Sequence, residues 1–130
     1  VQAMLADMAM KTESARWLVY ACASAADAGD MKAVNKYAAM AKCWSTDVAM
    51  AVATDAVQIF GGYGFMEDYP IAKFFRDAKI LQIYEGTNQV QRMVIARNLM
   101  KESGEYDYLN EFIPEETQKT WGDDYEIANT

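Results

Sequence analysis

Histidine is absent from this 130-residue chain, and cysteine and proline occur only twice each. Without imidazole there can be no Ser-His-Asp triad, no histidine acid–base catalysis and no zinc site that needs a histidine ligand. Two cysteines, Cys22 and Cys43, build neither a secreted disulfide scaffold nor a four-cysteine metal centre. No metal site is expected, and a reduced, cytoplasmic setting suits the composition. No apolar run approaches the roughly 18 residues that span a bilayer. Nor does a basic segment precede an apolar one at the N-terminus, so no signal peptide is expected. A basic stripe is missing as well. Residues 1–102 hold 11 basic and 11 acidic side chains, so the net charge of −7 arises wholly from residues 103–130. There Glu105, Asp107, Glu111, Glu115, Glu116, Asp123, Asp124 and Glu126 face Lys119 alone. Nucleic-acid binding is thereby excluded as an expectation.

What is present is helical. The hydrophobic fraction of 52% excludes disorder over most of the chain, and the length suits one ordinary domain. Of 21 alanines, 17 precede residue 57, and proline first appears at Pro70. A stripe of Val1, Leu5, Met8, Thr12, Ala15, Val19, Cys22 and Ala26 has helical period. It already runs at Val1, an opening that suggests a piece of a longer chain. Gly29 suits a left-handed helix end, and Asp30 can cap the next helix. There a second stripe follows Val34, Tyr37, Ala41, Trp44, Val48 and Val52 towards Ile59. Two such helices, each ~40 Å or longer, joined by a tight turn predict an antiparallel hairpin.

Beyond it, Pro70 can open a short helix to about Arg76, and Asp77 can cap another over residues 78–84. Asn88, with Gln91 three residues on, can restart a helix through a capping box. Residues 103–130 read as an acidic extension, with one short helix after Pro114. The expected fold is an all-α, up-down bundle of three long helices and a short kinked one. Trp17, Trp44 and most methionines are expected in packed positions. Cys22 is expected as a small buried hydrophobe, and Arg76, Asp77 and Arg92 as structural ion-pair or interface residues.

Glycine interrupts the helical pattern twice. Gln58-Ile59-Phe60-Gly61-Gly62-Tyr63-Gly64 ends the second long helix. It can be a plain helix end, or a place where backbone approaches a ligand; it is not a Rossmann fingerprint, since a helix and not a strand precedes it. Gln82-Ile83-Tyr84-Glu85-Gly86-Thr87-Asn88-Gln89 sets a carboxylate at the break before another helix start. Free N–H groups there favour negative charge or a polarised oxygen. A carboxylate walled by Tyr84 and apolar neighbours becomes a stronger base. A surface glutamate is the alternative.

Taken with Tyr69-Pro70 and Arg76-Asp77-Ala78-Lys79-Ile80, these segments closely resemble the C-terminal helical domain of acyl-CoA dehydrogenases. The resemblance covers residues 1–102 and implies a domain of a longer FAD enzyme, with residues 103–130 as an extension. Family members take the α-proton of an acyl-CoA thioester while hydride leaves the β-carbon for the flavin. The resemblance makes Glu85 the base, as in the short- and medium-chain branches, with its N–H polarising the thioester carbonyl. Gly86 would leave room for substrate, and Thr87, Asn88 and Gln89 would contact FAD. Gln58, Ile59, Phe60, Gly61 and Gly62 would touch the FAD of a neighbouring subunit, implying a homotetramer. Electron-transferring flavoprotein is the implied electron acceptor, and the 130 residues alone are expected to be inactive. Two alternatives remain open: a non-catalytic helical oligomerisation module, and an enoyl-CoA reductase of the same family.

Overall fold

The computed structural model describes residues 1–104. They form α1 (Gln2–Asp27), α2 (Met31–Phe60), α3 (Gly62–Phe65), α4 (Pro70–Leu81) and α5 (Asn88–Ser103), with no strand among them. The fold is all-α, as composition and periodicity required. The acidic extension and the short helix expected after Pro114 lie outside the described residues. Val1–Ile95 make one compact unit, and residues from Ala96 make a second.

The turn between α1 and α2 forms for the reasons legible in its residues. Gly29 takes φ +72°, and the N–H groups of Gly29 and Asp30 donate to the carbonyls of Ala26 and Ala25. Asp30 Oδ1 accepts from the N–H of Ala33 at 3.0 Å and caps α2. The two helices then run antiparallel. Trp44 Nε1 donates to Ser14 Oγ at 2.8 Å, and Lys11 pairs with Asp55 across 3.4 Å.

Between the helices the packing is alanine. Ala15, Ala39, Ala41, Ala53, Ala72 and Ala78 are buried with Cys43 and Val48, and no large side chain is fully buried. Small side chains let backbones approach closely, so the seam is narrow and the bulky groups stand outside it. This overturns three expectations. Trp17 is 67% exposed and Trp44 is also exposed, its indole bridging helices from the rim. Cys22, expected to be buried, is only half-buried, whereas Cys43 is buried. The buried side of α1 is turned from the expected stripe. Met4, Met8, Lys11, Ala15, Leu18, Cys22 and Ala25 face inward to varying degrees, while Leu5 and Val19 are exposed. Alanine and methionine surround α1 on every side, so period alone could not choose the face that meets α2.

Downstream, Gly61 ends α2 at φ +60°. Its N–H donates to Gln58 O, and α3 folds back on the last turn of α2. The rings of Phe60 and Tyr63 both meet Tyr69, at centroid separations of 6.2 and 5.3 Å. Pro70 opens α4 in its first turn as expected. The two short helices expected after it are one. Asp77 caps nothing, because its carboxylate pairs with Lys73 one turn earlier, and the backbone continues to Leu81.

Gly64 is buried, and a Cβ there would lie 2.5 Å from the carbonyl oxygen of Val57 and 3.0 Å from Phe60 Cβ. Backbone cannot yield as a flexible side chain can. Gly64→Ala is expected to destabilise the domain by about 1–3 kcal/mol, read as a lowered urea midpoint with unchanged slope. Gly62→Ala, with open space around it, should shift the midpoint far less.

Candidate functional site

Between α4 and α5 the chain makes a small closed loop. The N–H groups of Ile83 and Tyr84 reach back to Ile80 O at 2.9 and 3.1 Å, and Asn88 N donates to Gln82 O at 3.0 Å. Residues 83–87 therefore bulge from two fixed ends, with Glu85 near the apex. Glu85 has φ +52° and is the only non-glycine with positive φ among the described residues. Gly86 follows at φ +80°. A non-glycine side chain in this region stores about 1 kcal/mol of strain. The N–H groups of Glu85, Gly86 and Thr87 have no backbone acceptor among the described residues.

The ends are fixed by a polar cluster on α2. Asn88 is buried, with 2% of its surface exposed. Its Nδ2 lies 2.7 Å from Asp47 Oδ1, 2.7 Å from Thr46 Oγ1 and 3.2 Å from Cys43 O. Its Oδ1 accepts from Lys42 Nζ at 2.8 Å. Asp47 also accepts from Gln82 Nε2 at 2.7 Å, and it pairs with Arg92 on α5. Burial alone would push the Asp47 carboxyl up. Hydrogen bonds from Arg92, Asn88 and Gln82 outweigh that, and the net direction is down. Burial pushes the Cys43 thiol up, although Arg92 and Lys42 pull it the other way. Its Sγ sits 3.7 Å from Asn88 O as a donor.

Asp47, Gln82, Asn88 and Arg92 of this cluster line an open hollow of about 410 Å³ that Lys79, Ile83, Thr87 and Gln89 also bound. Thr87 and Gln89 thus reach it. Asn88 borders it too, and its amide is hydrogen-bonded to α2, so its side chain anchors the loop. It is also not the cap: Thr87 caps α5, with Oγ1 accepting from Val90 N at 3.3 Å. Gln91 Nε2 turns back to Glu85 O at 3.3 Å. Glu85 and Gly86 are exposed on the loop outside the hollow, and Tyr84 is half exposed and does not wall Glu85 in.

Gln58, Ile59, Phe60, Gly61 and Gly62 lie elsewhere. Asn88 meets α2 at Thr46, and twelve residues of helix separate Thr46 from Gln58, about 18 Å of rise. The two glycine segments therefore do not share one hollow. Gln58 is exposed, Ile59 half-buried and Phe60 48% exposed, and a Cβ at Gly61 or Gly62 would meet nothing within 4 Å. Lys42, Thr46 and Asp47 were not read from the sequence as functional. The available signal was slight: Lys42 and Thr46 are four positions apart on one helix face, and α2 carries other polar residues such as Asn35, Ser45 and Asp55.

Comparison with known proteins bears on both segments. The family described as "Acyl-CoA dehydrogenase, C-terminal domain" matches residues 1–100. A probable acyl-CoA dehydrogenase of Mycobacterium leprae is 54% identical over 101 residues, covering 78% of this chain and 26% of that protein. The solved structure of butyryl-CoA dehydrogenase from Megasphaera elsdenii superimposes with a TM-score of 0.72 at 55% identity, covering 76% of this chain and 25% of that one. A chain in the structure described as the electron transferring flavoprotein of Acidaminococcus fermentans gives a TM-score of 0.69 at 56% identity, covering 76% of this chain and 26% of that one. The chain spans about a quarter of the length of the relatives it matches.

Two outcomes follow from the anchor. Asn88→Ala strands the buried partners of its amide and should lower stability by about 2 kcal/mol or more, seen in chemical denaturation. Asp47 has a depressed folded pKa, so its contribution is complete above the ordinary carboxylate range and is lost as pH falls below 3.8. The stability gap between wild type and Asp47→Asn should be flat near neutrality and close in acid.

Proposed function

The chain belongs to the acyl-CoA dehydrogenase family, through its C-terminal domain, and from that premise we propose that it carries the base for α,β-dehydrogenation of a short- to medium-chain acyl-CoA. Glu85 is that base. The observation that carries the reading is its left-handed backbone at a helix break, with N–H groups at residues 85–87 that have no backbone acceptor among the described residues. A site that holds a non-glycine residue at positive φ does so against a local energy cost, and such strain concentrates where geometry serves chemistry.

The roles of the residues follow from what each can do. A carboxylate cannot by itself remove a proton from an ordinary C–H bond. The Glu85 N–H, donating to the thioester carbonyl, stabilises the negative charge that builds on that oxygen as the α-proton leaves. The carboxylate then takes the proton. Gly86, without a Cβ, keeps the approach clear for the acyl chain. FAD, when bound, supplies the acceptor for the hydride that leaves the β-carbon.

The residues present fit such a cofactor in two separate places. Beside the hollow, the hydroxyl proton of Thr87 and the exposed amide of Gln89 are available for polar contacts. At the end of α2, the exposed Gln58 amide stands next to two glycines with open space around them. A group from a second subunit can lie there against backbone, as in a homotetramer. Asn88 acts by holding Thr87 and Gln89 in register. Electrons would pass onward to an electron-transferring flavoprotein.

The domain proper is residues 1–102, with 103–130 as its extension. The walls that cover Glu85 come from the rest of a full-length enzyme and from neighbouring subunits. Among the described residues, no helix is long and apolar enough to cross a membrane.

In the full-length flavoprotein, Glu85→Gln should retain flavin yet lose bleaching by butyryl-CoA or octanoyl-CoA by about 10³-fold or more. Unchanged reduction kinetics would remove Glu85 as the base. The 130-residue chain with added FAD serves as the control and should oxidise no acyl-CoA.

A further inference from the structure

Lys42 reaches the Glu85 loop through uncharged oxygens. Lys42 Nζ, on half-buried α2 surface, lies 2.7 Å from Gly86 O and 2.8 Å from Asn88 Oδ1. It forms no ion pair among the described residues, although Asp47 stands only five positions along the same helix. That carboxylate is already occupied by Arg92, Gln82 and Asn88. An ammonium directed at two uncharged oxygens gives charge-assisted hydrogen bonds without a compensating carboxylate. The bond to Gly86 O fixes backbone orientation, and the bond to Asn88 Oδ1 ties the lysine to the loop's anchor.

We propose that Lys42 is a positioning residue for the proton-abstracting carboxylate, clamping the Gly86 carbonyl so that the Glu85–Gly86 turn keeps its left-handed form. The proposal rests on Glu85 being the base. Each carbonyl defines one peptide plane. Lys42 sets the plane between Gly86 and Thr87, and Gln91 Nε2 sets the plane between Glu85 and Gly86 through its 3.3 Å contact with Glu85 O. With both planes held, the N–H groups of Gly86 and Thr87 have fixed directions, and Glu85 Cα, which carries the base, has a fixed position. The Gln91 contact is neutral and long, so the cation is the stronger of the two restraints. Because the same Nζ also binds the Asn88 amide, the turn and its anchor are held by one group from α2.

Removing the clamp frees the turn to relax, and misplacement of a catalytic group by about 1 Å costs on the order of a hundredfold in rate. The test uses the full-length flavoprotein and butyryl-CoA. Lys42→Met, which keeps the side-chain length and loses the charge, should lower the rate of flavin reduction by about 10–100-fold. KM and flavin content should stay near wild type, and Lys42→Arg should recover part of the rate by restoring a donor. A Lys42→Met protein that reduces flavin at the wild-type rate overturns the proposal. So does a defect confined to KM or flavin content, which marks Lys42 as a binding or structural residue. If Lys42→Met does not assemble, Lys42→Gln, whose amide falls short of Gly86 O, is read in its place. Failure of both to bind flavin assigns Lys42 to folding and overturns the positioning role. Glu85→Gln run alongside separates the two levels. A normal rate there sinks the base assignment and this proposal with it, whereas an inert Glu85→Gln beside a normal Lys42→Met sinks only the clamp.

Discussion

One carboxylate on the second long helix holds the ends of two others. Asp47 accepts from Gln82 at the close of α4 and from Asn88 and Arg92 at the opening of α5. The loop between those helices consequently has fixed endpoints, whatever its apex does. A buried amide such as Asn88 is expensive to place unless every polar atom finds a partner. Here α2 supplies them from Lys42, Cys43, Thr46 and Asp47. Such satisfied networks specify one arrangement, because any slip of α5 along α2 would leave polar atoms unpaired. The left-handed Glu85 is tolerable only on this account: the strain is local, and the anchorage on either side exceeds it.

Much of the fold was legible because backbone-level signals are local. Asp30 and Gly29 could be placed at a turn from their own chemistry, and Pro70 at a helix start from its missing N–H. Errors arose where the decision was not local. On α1, alanine and methionine on every face left the choice of seam to the partner helix, so Leu5 and Val19 were assigned inward and are exposed. Asp77 is a sound cap by type, yet Lys73 one turn away offered it an ion pair. The start of α5 was misjudged by one residue, since Thr87 and Asn88 are both good caps. Only the polar cluster on α2 decides that Asn88 goes inward.

The site divides along the same line. Glu85 and Gly86 could be found because they interrupt a helical pattern, and interruption is visible in one dimension. The residues that hold them could not, because Lys42 and Asp47 lie some forty positions earlier and look like ordinary helix polarity. The two glycine segments are not halves of one pocket. They stand well apart along α2, and Gly61 and Gly64 have structural duties in ending that helix and packing α3 upon it.

The alanine seam has a consequence for which inherited changes this domain could absorb. Where a core is built of bulky side chains, the damaging lesions are truncations that leave holes. Here the susceptibility is inverted: trimming Trp17 or Phe65 removes atoms already facing outward, whereas a single added methyl pair, as in Ala39→Val or Ala53→Val, wedges apart helices with no slack between them. Sequence drift in such a domain should therefore be permissive at its largest residues and conservative at its smallest.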